Sequence, residues 1–219
     1  MTRQTYMDNL DAIKAELCEM AREVDGMLEQ AMESLVRRDT KLAEAILRSD
    51  DIVDNMNVQI EQECFHLIAM QQPVARHLRL VHAAFNIITD LERIGDHGVD
   101  IAKIARKLAA SWNGDVPDAL ITMGKTTQGM LRNLIQAFDT FDLRLIDEIA
   151  TSTEVHAAFE RFEASTLTAM QAGDVSLVAA NYLLFVAYHL DEMANHVSCV
   201  AERLRFYETG ESRRLPMAA

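Results

Sequence analysis

The chain has 219 residues, of which 49% are hydrophobic and 25% charged, and it carries a formal net charge of −13. These values are typical of a globular protein with one sizeable domain or two small ones. The negative charge argues against tight binding to nucleic acid, which needs a basic face. Only 8 glycines and 3 prolines interrupt the chain, which argues against a turn-rich all-β fold.

Cysteines and apolar segments indicate where the protein resides. Cys18, Cys64 and Cys199 lie far apart without a CxxC motif, so neither a disulfide framework nor a cysteine zinc site is predicted. The first 20 residues lack the apolar core of a signal peptide. The most apolar stretch, residues 177–190, is too short to span a bilayer and is expected to form a buried helix. Together these features predict a cytoplasmic protein.

Helical periodicity is nearly continuous and is interrupted only at a few turn signals. Asp39 or Thr40 can cap the second helix, and Pro73 suits the first turn of the third. The clearest break is SWNGDVPDA at 111–119, and Gly210 ends the last helix. The pattern predicts six helices, over 4–38, 41–70, 74–110, 118–140, 143–171 and 174–209.

These helices form two sets of three, which predicts an all-α fold of two tandem three-helix bundles. Short connections force neighbouring helices to run antiparallel. A shift of 99 positions places Leu190 on Leu91 and His196 on His97, which indicates an internal duplication. The domain boundaries that follow are 1–112 for the first repeat, 113–210 for the second and 211–219 for a loose tail.

The segment LERIGDHGVDIAKIARKL, residues 91–108, reads as a helix although it contains two interior glycines. Each interior glycine costs about 1 kcal/mol relative to alanine. Gly98 falls on the apolar stripe and Gly95 lies beside it, so we interpret both as points where a neighbouring helix approaches closely. The predicted buried stripe consists of Leu91, Ile94, Gly98, Ile101, Ala105 and Leu108.

The same helix carries a ridge of like charges on its opposite side. Glu92, Asp96 and Asp100 follow one another at steps of four, a spacing that destabilises a helix by a few tenths of a kcal/mol per pair. The preceding helix carries Asp50 and Asp54, again four apart. If the two helices pack antiparallel, these carboxylates converge, and hard divalent or trivalent cations would relieve their repulsion. The alternative is a solvated charged face without metal.

DLERIGDHGVDIAKIA resembles the signature of the PhoU family, accessory proteins of the phosphate-specific transport system. The resemblance covers nearly the whole chain and is strongest over 45–105 and weaker over 175–210. It implies two three-helix bundles related by duplication. It also implies paired E/D-x-x-x-D motifs, which bind iron or zinc clusters in known members of the family.

Carried over by position, the resemblance implies a metal site in the first repeat. Iron or zinc is the expected metal, with magnesium or manganese as further options. The candidate ligands are Asp50, Asp54, Glu92, Asp96 and Asp100.

The second repeat departs from the family motif. Asp191 and Asn195 stand where the family motif has glutamate and aspartate. At the matching positions of the facing helix, Glu154 is the only acidic residue. An amide is a poorer ligand for a hard cation than a carboxylate, so a weak or absent second site is predicted. His97 and His196 recur one residue past the motif and are interpreted as packing or surface histidines rather than ligands.

The function implied by the resemblance is that of a regulatory adaptor rather than an enzyme. Such a protein restrains phosphate uptake and keeps the phosphate-starvation two-component response off when phosphate is plentiful. The implied partners are the ATPase subunit of the phosphate ABC transporter and the phosphate-sensing histidine kinase. The protein is expected to bind them at the periphery of membrane complexes. No nucleic acid is expected as a partner, and a homodimer is left open. The sequence contains no P-loop, Rossmann fingerprint, nucleophile elbow or HExxH motif.

Three alternatives remain open from the sequence. The chain could be a diverged PhoU paralogue with a changed partner, or a purely structural helical protein without metal. It could also be a di-metal carboxylate protein with a metal-handling role. For the last, Glu63 and His66 form one ExxH motif, and His189, Glu192 and His196 share a helical face. Ferritin-like enzymes need a second ExxH motif, which the sequence lacks.

Overall fold

In the computed structural model, residues 3–211 are described, and this part of the chain consists of α-helices and short connections. The long helices contain about 30 residues each and therefore extend over about 45 Å. The helices are α1 (Arg3–Arg37), α2 (Thr40–Gln71), α3 (Arg76–Ser111), α4 (Asp118–Thr140), α5 (Leu143–Ala150), α6 (Glu154–Ala172) and α7 (Leu177–Thr209).

Most helix ends lie where the turn signals predict them. The Asp39 carboxylate caps α2 by accepting hydrogen bonds of 3.0 and 3.1 Å from two backbone N–H groups of its first turn. Gly173 and Gly210 end α6 and α7 in the left-handed conformation, which glycine adopts without steric cost. Pro73 is buried in the α2–α3 connection, so the prediction that it occupies the first turn of the third helix is wrong. That helix begins at Arg76.

The predicted helix over 143–171 is two helices, α5 and α6. Three consecutive hydroxyl residues, Thr151, Ser152 and Thr153, separate them. The Thr151 hydroxyl donates a 2.8 Å hydrogen bond to the Asp147 carbonyl oxygen. Because such local side-chain hydrogen bonds compete with the helical ladder, a run of serine and threonine favours a break here. The sequence therefore predicts one helix fewer than the seven that the described residues form.

The helices pack as two sets of three segments, α1–α3 and α4–α7, in which α5 and α6 together occupy one position. Within the first set every helix contacts the other two, and in the second set α7 packs against α4, α5 and α6. The sets are joined by contacts of α3 with α7 and of α1 with α4. The buried apolar side chains form one continuous core. The all-α tandem-bundle prediction is confirmed; of the predicted tail, residues 212–219 lie outside the described part.

The apolar stripe of α3 is buried, as predicted. Gly98 lies against α1, but a Cβ atom built at this position would be 3.6 Å from the Met27 Cβ. At Gly95 the nearest atom would be 3.5 Å away, on Val53. Both distances are ordinary van der Waals contacts. The neighbouring helices are therefore close, but not so close that glycine is required.

Replacing Gly98 with alanine is expected to stabilise the protein. The helix-propensity gain is about 0.5–1 kcal/mol, and the added methyl group fits beside Met27 without a clash. Thermal unfolding should show a melting temperature raised by about 1–4 °C. Gly26→Ala, where a Cβ would meet nothing within 4 Å, isolates the propensity gain. A lowered melting temperature for Gly98→Ala alone would mean that α1 and α3 pack more tightly than these distances indicate.

The apolar stretch 177–190 forms the first half of α7, and only one of its faces is buried. Leu183, Val186 and Leu190 contribute to the core. The opposite face exposes Leu177, Val178, Phe185 and Tyr188 to solvent. The expectation of a buried helix therefore holds for one face of this segment and not for the other. In the described residues, we find no helix with the length and apolarity that a membrane crossing requires.

Candidate functional site

The structure brings the predicted carboxylates of the first repeat together on adjacent helices. Asp50 and Asp54 project from α2, and Glu92 and Asp96 from α3. Burial raises the pKa of Asp50, and the charges of Asp54 and Asp96 raise it further. Burial likewise raises the pKa of Glu92, followed by the charges of Asp96 and Asp54. The four side chains therefore form one negatively charged site, which we call the carboxylate cluster.

Asp100 lies at the edge of the carboxylate cluster. Its Oδ1 atom accepts a 2.8 Å hydrogen bond from the Lys103 ammonium, three residues further along α3. Asp96 is exposed on one side, but partial burial of its carboxyl group against the protein raises its pKa, and the charges of Asp100 and Asp54 add to this rise. Asp100 is thus partly neutralised by a lysine, whereas the other four carboxylates repel one another.

The donor set of the carboxylate cluster fits a hard cation, because carboxylate oxygens are the ligands that such ions prefer. Asp54 and Asp96 are exposed, while Asp50 and Glu92 are half-buried. Within residues 3–211, however, these four carboxylates include no three whose ligand atoms approach within 4.8 Å of one another. Binding of one cation by three of them would therefore require side-chain rotations that bring their oxygen atoms closer together. The metal site at this position stays a prediction.

The second repeat has a hydrogen-bonded pair at the corresponding position. Asp191 is 5% exposed, and its Oδ2 atom lies 3.0 Å from the Nδ1 atom of His156 on α6. This hydrogen bond raises the pKa of His156. The other Asp191 oxygen, Oδ1, is buried without a hydrogen-bond partner. Glu154 and Asn195 are exposed, and the α6 side chain that contacts Asp191 is His156, which the family motif did not predict.

A second group of polar side chains lies between α3 and α7. His97 from α3 and Glu192 and His196 from α7 are half-buried, with one ligand atom of each within 4.8 Å of the others. The His97 and His196 rings stack with their centroids 5.9 Å apart. The Nδ1 atoms of His97 and His189 are 3.0 Å apart, and Asp90 lies 2.9 Å from His196 Nδ1. Burial lowers the pKa of both His97 and His189.

The residues of the di-metal alternative occupy two separate places. Glu63 interacts with Glu16 on α1, and Gln59 donates hydrogen bonds of 3.1 and 3.4 Å to Glu16 and Glu63. His66 is exposed on α2, whereas His189 lies between α3 and α7. The ExxH motif and the histidine group therefore do not converge on one inward-facing centre.

Replacing Glu16 with glutamine is expected to stabilise the protein at neutral pH. Burial raises the pKa of Glu16, and the Glu63 charge and hydrogen bond raise it further, while its Oε2 atom is buried without a partner. A carboxyl group whose folded-state pKa is raised destabilises the fold once it ionises. The variant should therefore melt up to about 2–4 °C higher at pH 7, since this corresponds to about 1 kcal/mol.

This difference should shrink as the pH falls through the raised pKa of Glu16 and vanish below the value of the unfolded chain, where the wild-type side chain is neutral in both states. Thermal unfolding at pH 7 and pH 4 measures it. Glu61→Gln, at an exposed position of α2, is the matched control. An equal gain at both pH values would disprove the electrostatic explanation.

The fold defines a helical protein built from two tandem three-helix repeats. The family model of the PhoU domain matches residues 17–105 and 120–204, so both repeats are covered. The chain belongs to the PhoU family.

Full-length relatives support this assignment. The chain is 31% identical over 213 residues to a protein of Clostridium acetobutylicum, covering 96% of this chain and 97% of that one. It is 32% identical over 212 residues to a protein of Caulobacter vibrioides, covering 96% and 92%. Both relatives are named phosphate-specific transport system accessory protein PhoU homolog.

Solved structures agree with the fold. The phosphate transport system regulatory protein PhoU from Streptococcus pneumoniae superimposes with a TM-score of 0.89 at 26% identity, covering 96% of this chain and 100% of that one. PhoU from Pseudomonas aeruginosa superimposes with the same TM-score at 24% identity, covering 94% of this chain and 100% of that one. At this level of identity the match supports only the fold.

Proposed function

We propose that this chain is an accessory protein of the phosphate-specific transport system and acts as a regulatory adaptor in the cytoplasm. It restrains phosphate uptake and keeps the phosphate-starvation two-component response off when phosphate is plentiful. The observation that carries this proposal is the match of both repeats to the PhoU domain, together with relatives of that name that align over nearly their whole length.

The adaptor acts through protein–protein contacts and catalyses no reaction. Its long helices present broad faces, and the carboxylate cluster on α2 and α3 offers a charged surface to a partner. The ATPase subunit of the phosphate ABC transporter and the phosphate-sensing histidine kinase are the proposed partners. The cluster attracts a basic surface directly, or a bound cation bridges it to oxygen ligands of the partner.

We further propose that Asp50, Asp54, Glu92 and Asp96 hold a metal cation, with iron or zinc as the first candidates and magnesium or manganese next. When bound, the cation neutralises the mutual repulsion of these carboxylates, which adds to burial in raising the pKa of Asp50, Glu92 and Asp96. The second repeat lacks this cluster and carries the His156–Asp191 pair instead.

The experiment is the alkaline phosphatase activity of cells grown in excess phosphate, with and without this gene. Deletion should derepress the enzyme, and the wild-type chain supplied in trans should restore repression. Unchanged activity in the deletion strain would reject the proposal for this copy. A diverged paralogue with another partner would then be the better assignment.

A further inference from the structure

The group of side chains between α3 and α7 is not explained by the carboxylate motifs. Within the described part of the chain, His97, Glu192 and His196 are the set of three potential ligands whose donor atoms lie within 4.8 Å of one another. We propose that these three residues bind a divalent transition-metal cation, with Zn²⁺ as the reference ion, and that the bound ion links the first repeat to the second.

The helical positions of the ligands support a chelating site. Glu192 and His196 lie four positions apart on α7, so both project from the same face of that helix. His97 approaches from α3, a helix of the other repeat that packs directly against α7. A cation at this point would contact both repeats at their interface.

Each of the two imidazole rings has a hydrogen-bond partner at its Nδ1 atom, which favours Nε2 as the metal-binding atom. His196 Nδ1 lies 2.9 Å from the Asp90 carboxylate, which leaves Nε2 with a free lone pair. His97 Nδ1 lies 3.0 Å from His189 Nδ1, and in the tautomer in which His97 Nδ1–H donates to His189, the His97 Nε2 keeps its lone pair for a metal. Metal-binding histidines characteristically donate their second ring N–H to a carboxylate or another acceptor. Asp90 and His189 are therefore positioning residues.

The ligand set decides the class of metal. Two imidazoles and one carboxylate suit zinc or ferrous iron, whereas calcium and magnesium prefer sites made of oxygen atoms. Three protein ligands also leave a coordination position open for water or for a group from a partner. The site thus differs in ligand chemistry from the carboxylate cluster, whose Asp50 and Asp54 lie on α2.

This inference does not depend on the role in phosphate regulation, and zinc binding tests it directly. The full-length chain with Asp50→Asn, Asp54→Asn, Glu92→Gln and Asp96→Asn provides a background free of the carboxylate cluster. After removal of metal by a chelator, this background is titrated with ZnCl₂ in a calorimeter. Titration with Co²⁺ adds the visible absorption bands that report nitrogen and oxygen ligation.

The background chain should bind one Zn²⁺, and Co²⁺ should produce visible bands that Zn²⁺ abolishes. His97→Asn or Glu192→Gln in this background should weaken Zn²⁺ binding by about a hundredfold. Asp90→Asn should weaken it by about 10–100-fold through loss of the orienting hydrogen bond. His66→Gln, at an exposed histidine of α2, is the matched control and should bind as the background does.

Two results would overturn the proposal. One is a background chain that binds no Zn²⁺ and gives no Co²⁺ bands. The other is equal Zn²⁺ affinity in the His97→Asn and His66→Gln variants. Because the background chain alone gives the Co²⁺ spectrum, the test stands even if a ligand variant does not fold.

Discussion

Glu92→Gln combined with Asp96→Asn is expected to stabilise the fold and at the same time abolish repression of alkaline phosphatase in excess phosphate. Both carboxyl groups have a raised pKa, caused first by burial and then by neighbouring carboxylates. Their ionisation therefore costs stability above the folded-state pKa, and this cost is absent below the unfolded-state value. Because Asp96 is exposed and solvent screens its charge, removing the two like charges should raise the free energy of unfolding at pH 7 by no more than about 0.5 kcal/mol.

The same change removes the charged surface and half of the proposed metal ligands. Alkaline phosphatase activity should therefore approach that of the deletion strain, although the variant melts at a higher temperature. Glu163→Gln with Asp174→Asn changes the net charge equally at exposed positions of α6 and the following connection, and should leave repression intact. A stabilised double variant with full repression would show that the carboxylate cluster has no role in regulation.

Leu190→Ala should produce a large loss of stability, greater than the change expected for Gly98→Ala or Glu16→Gln. Leu190 is 0% exposed, and its helix packs against α3, α4, α5 and α6. Truncating a fully buried leucine costs about 2–5 kcal/mol, because apolar contacts are lost and a cavity remains. For a chain of this size, a cost near 3 kcal/mol lowers the melting temperature by about 6–12 °C.

Leu177→Ala provides the matched control, since Leu177 lies on the same helix and is 62% exposed. This substitution should change the free energy of unfolding by no more than about 0.5 kcal/mol. Chemical unfolding of both variants measures the difference. Equal effects would mean that α7 does not occupy a central position in the core.

Much of the fold could be predicted from the sequence because the dominant signal is periodic. The stripe from Leu91 to Leu108 repeats with the helical period, and every member predicted to be buried is buried. Breaks were correct where glycine ends a helix or a carboxylate caps one, as at Gly173 and Asp39. The break at Thr151–Thr153 was missed, because serine and threonine only weakly oppose a helix whose apolar pattern continues on both sides.

For the candidate sites, the sequence predicts which side chains share a face of one helix, but not which side chains of different helices come into contact. The spacing of four residues places Glu92 and Asp96 on one ridge of α3, and in the structure Asp50 of the adjacent α2 lies near enough for its charge to affect Glu92. The proximity of His97 to His196 depends on the rotation of α3 against α7, which no local pattern encodes. The same holds for His156, whose contact with Asp191 joins two helices of the second repeat.

Binding of the purified chain to the ATPase subunit of the phosphate transporter tests the adaptor role most directly. The subunit is immobilised, and the wild-type chain, the Glu92→Gln/Asp96→Asn variant and the Glu163→Gln/Asp174→Asn control are passed over it. We expect saturable binding of the wild-type chain and the control, and weaker binding of the cluster variant. Absence of wild-type binding to this subunit, and to the sensor kinase in the same format, would contradict the adaptor role.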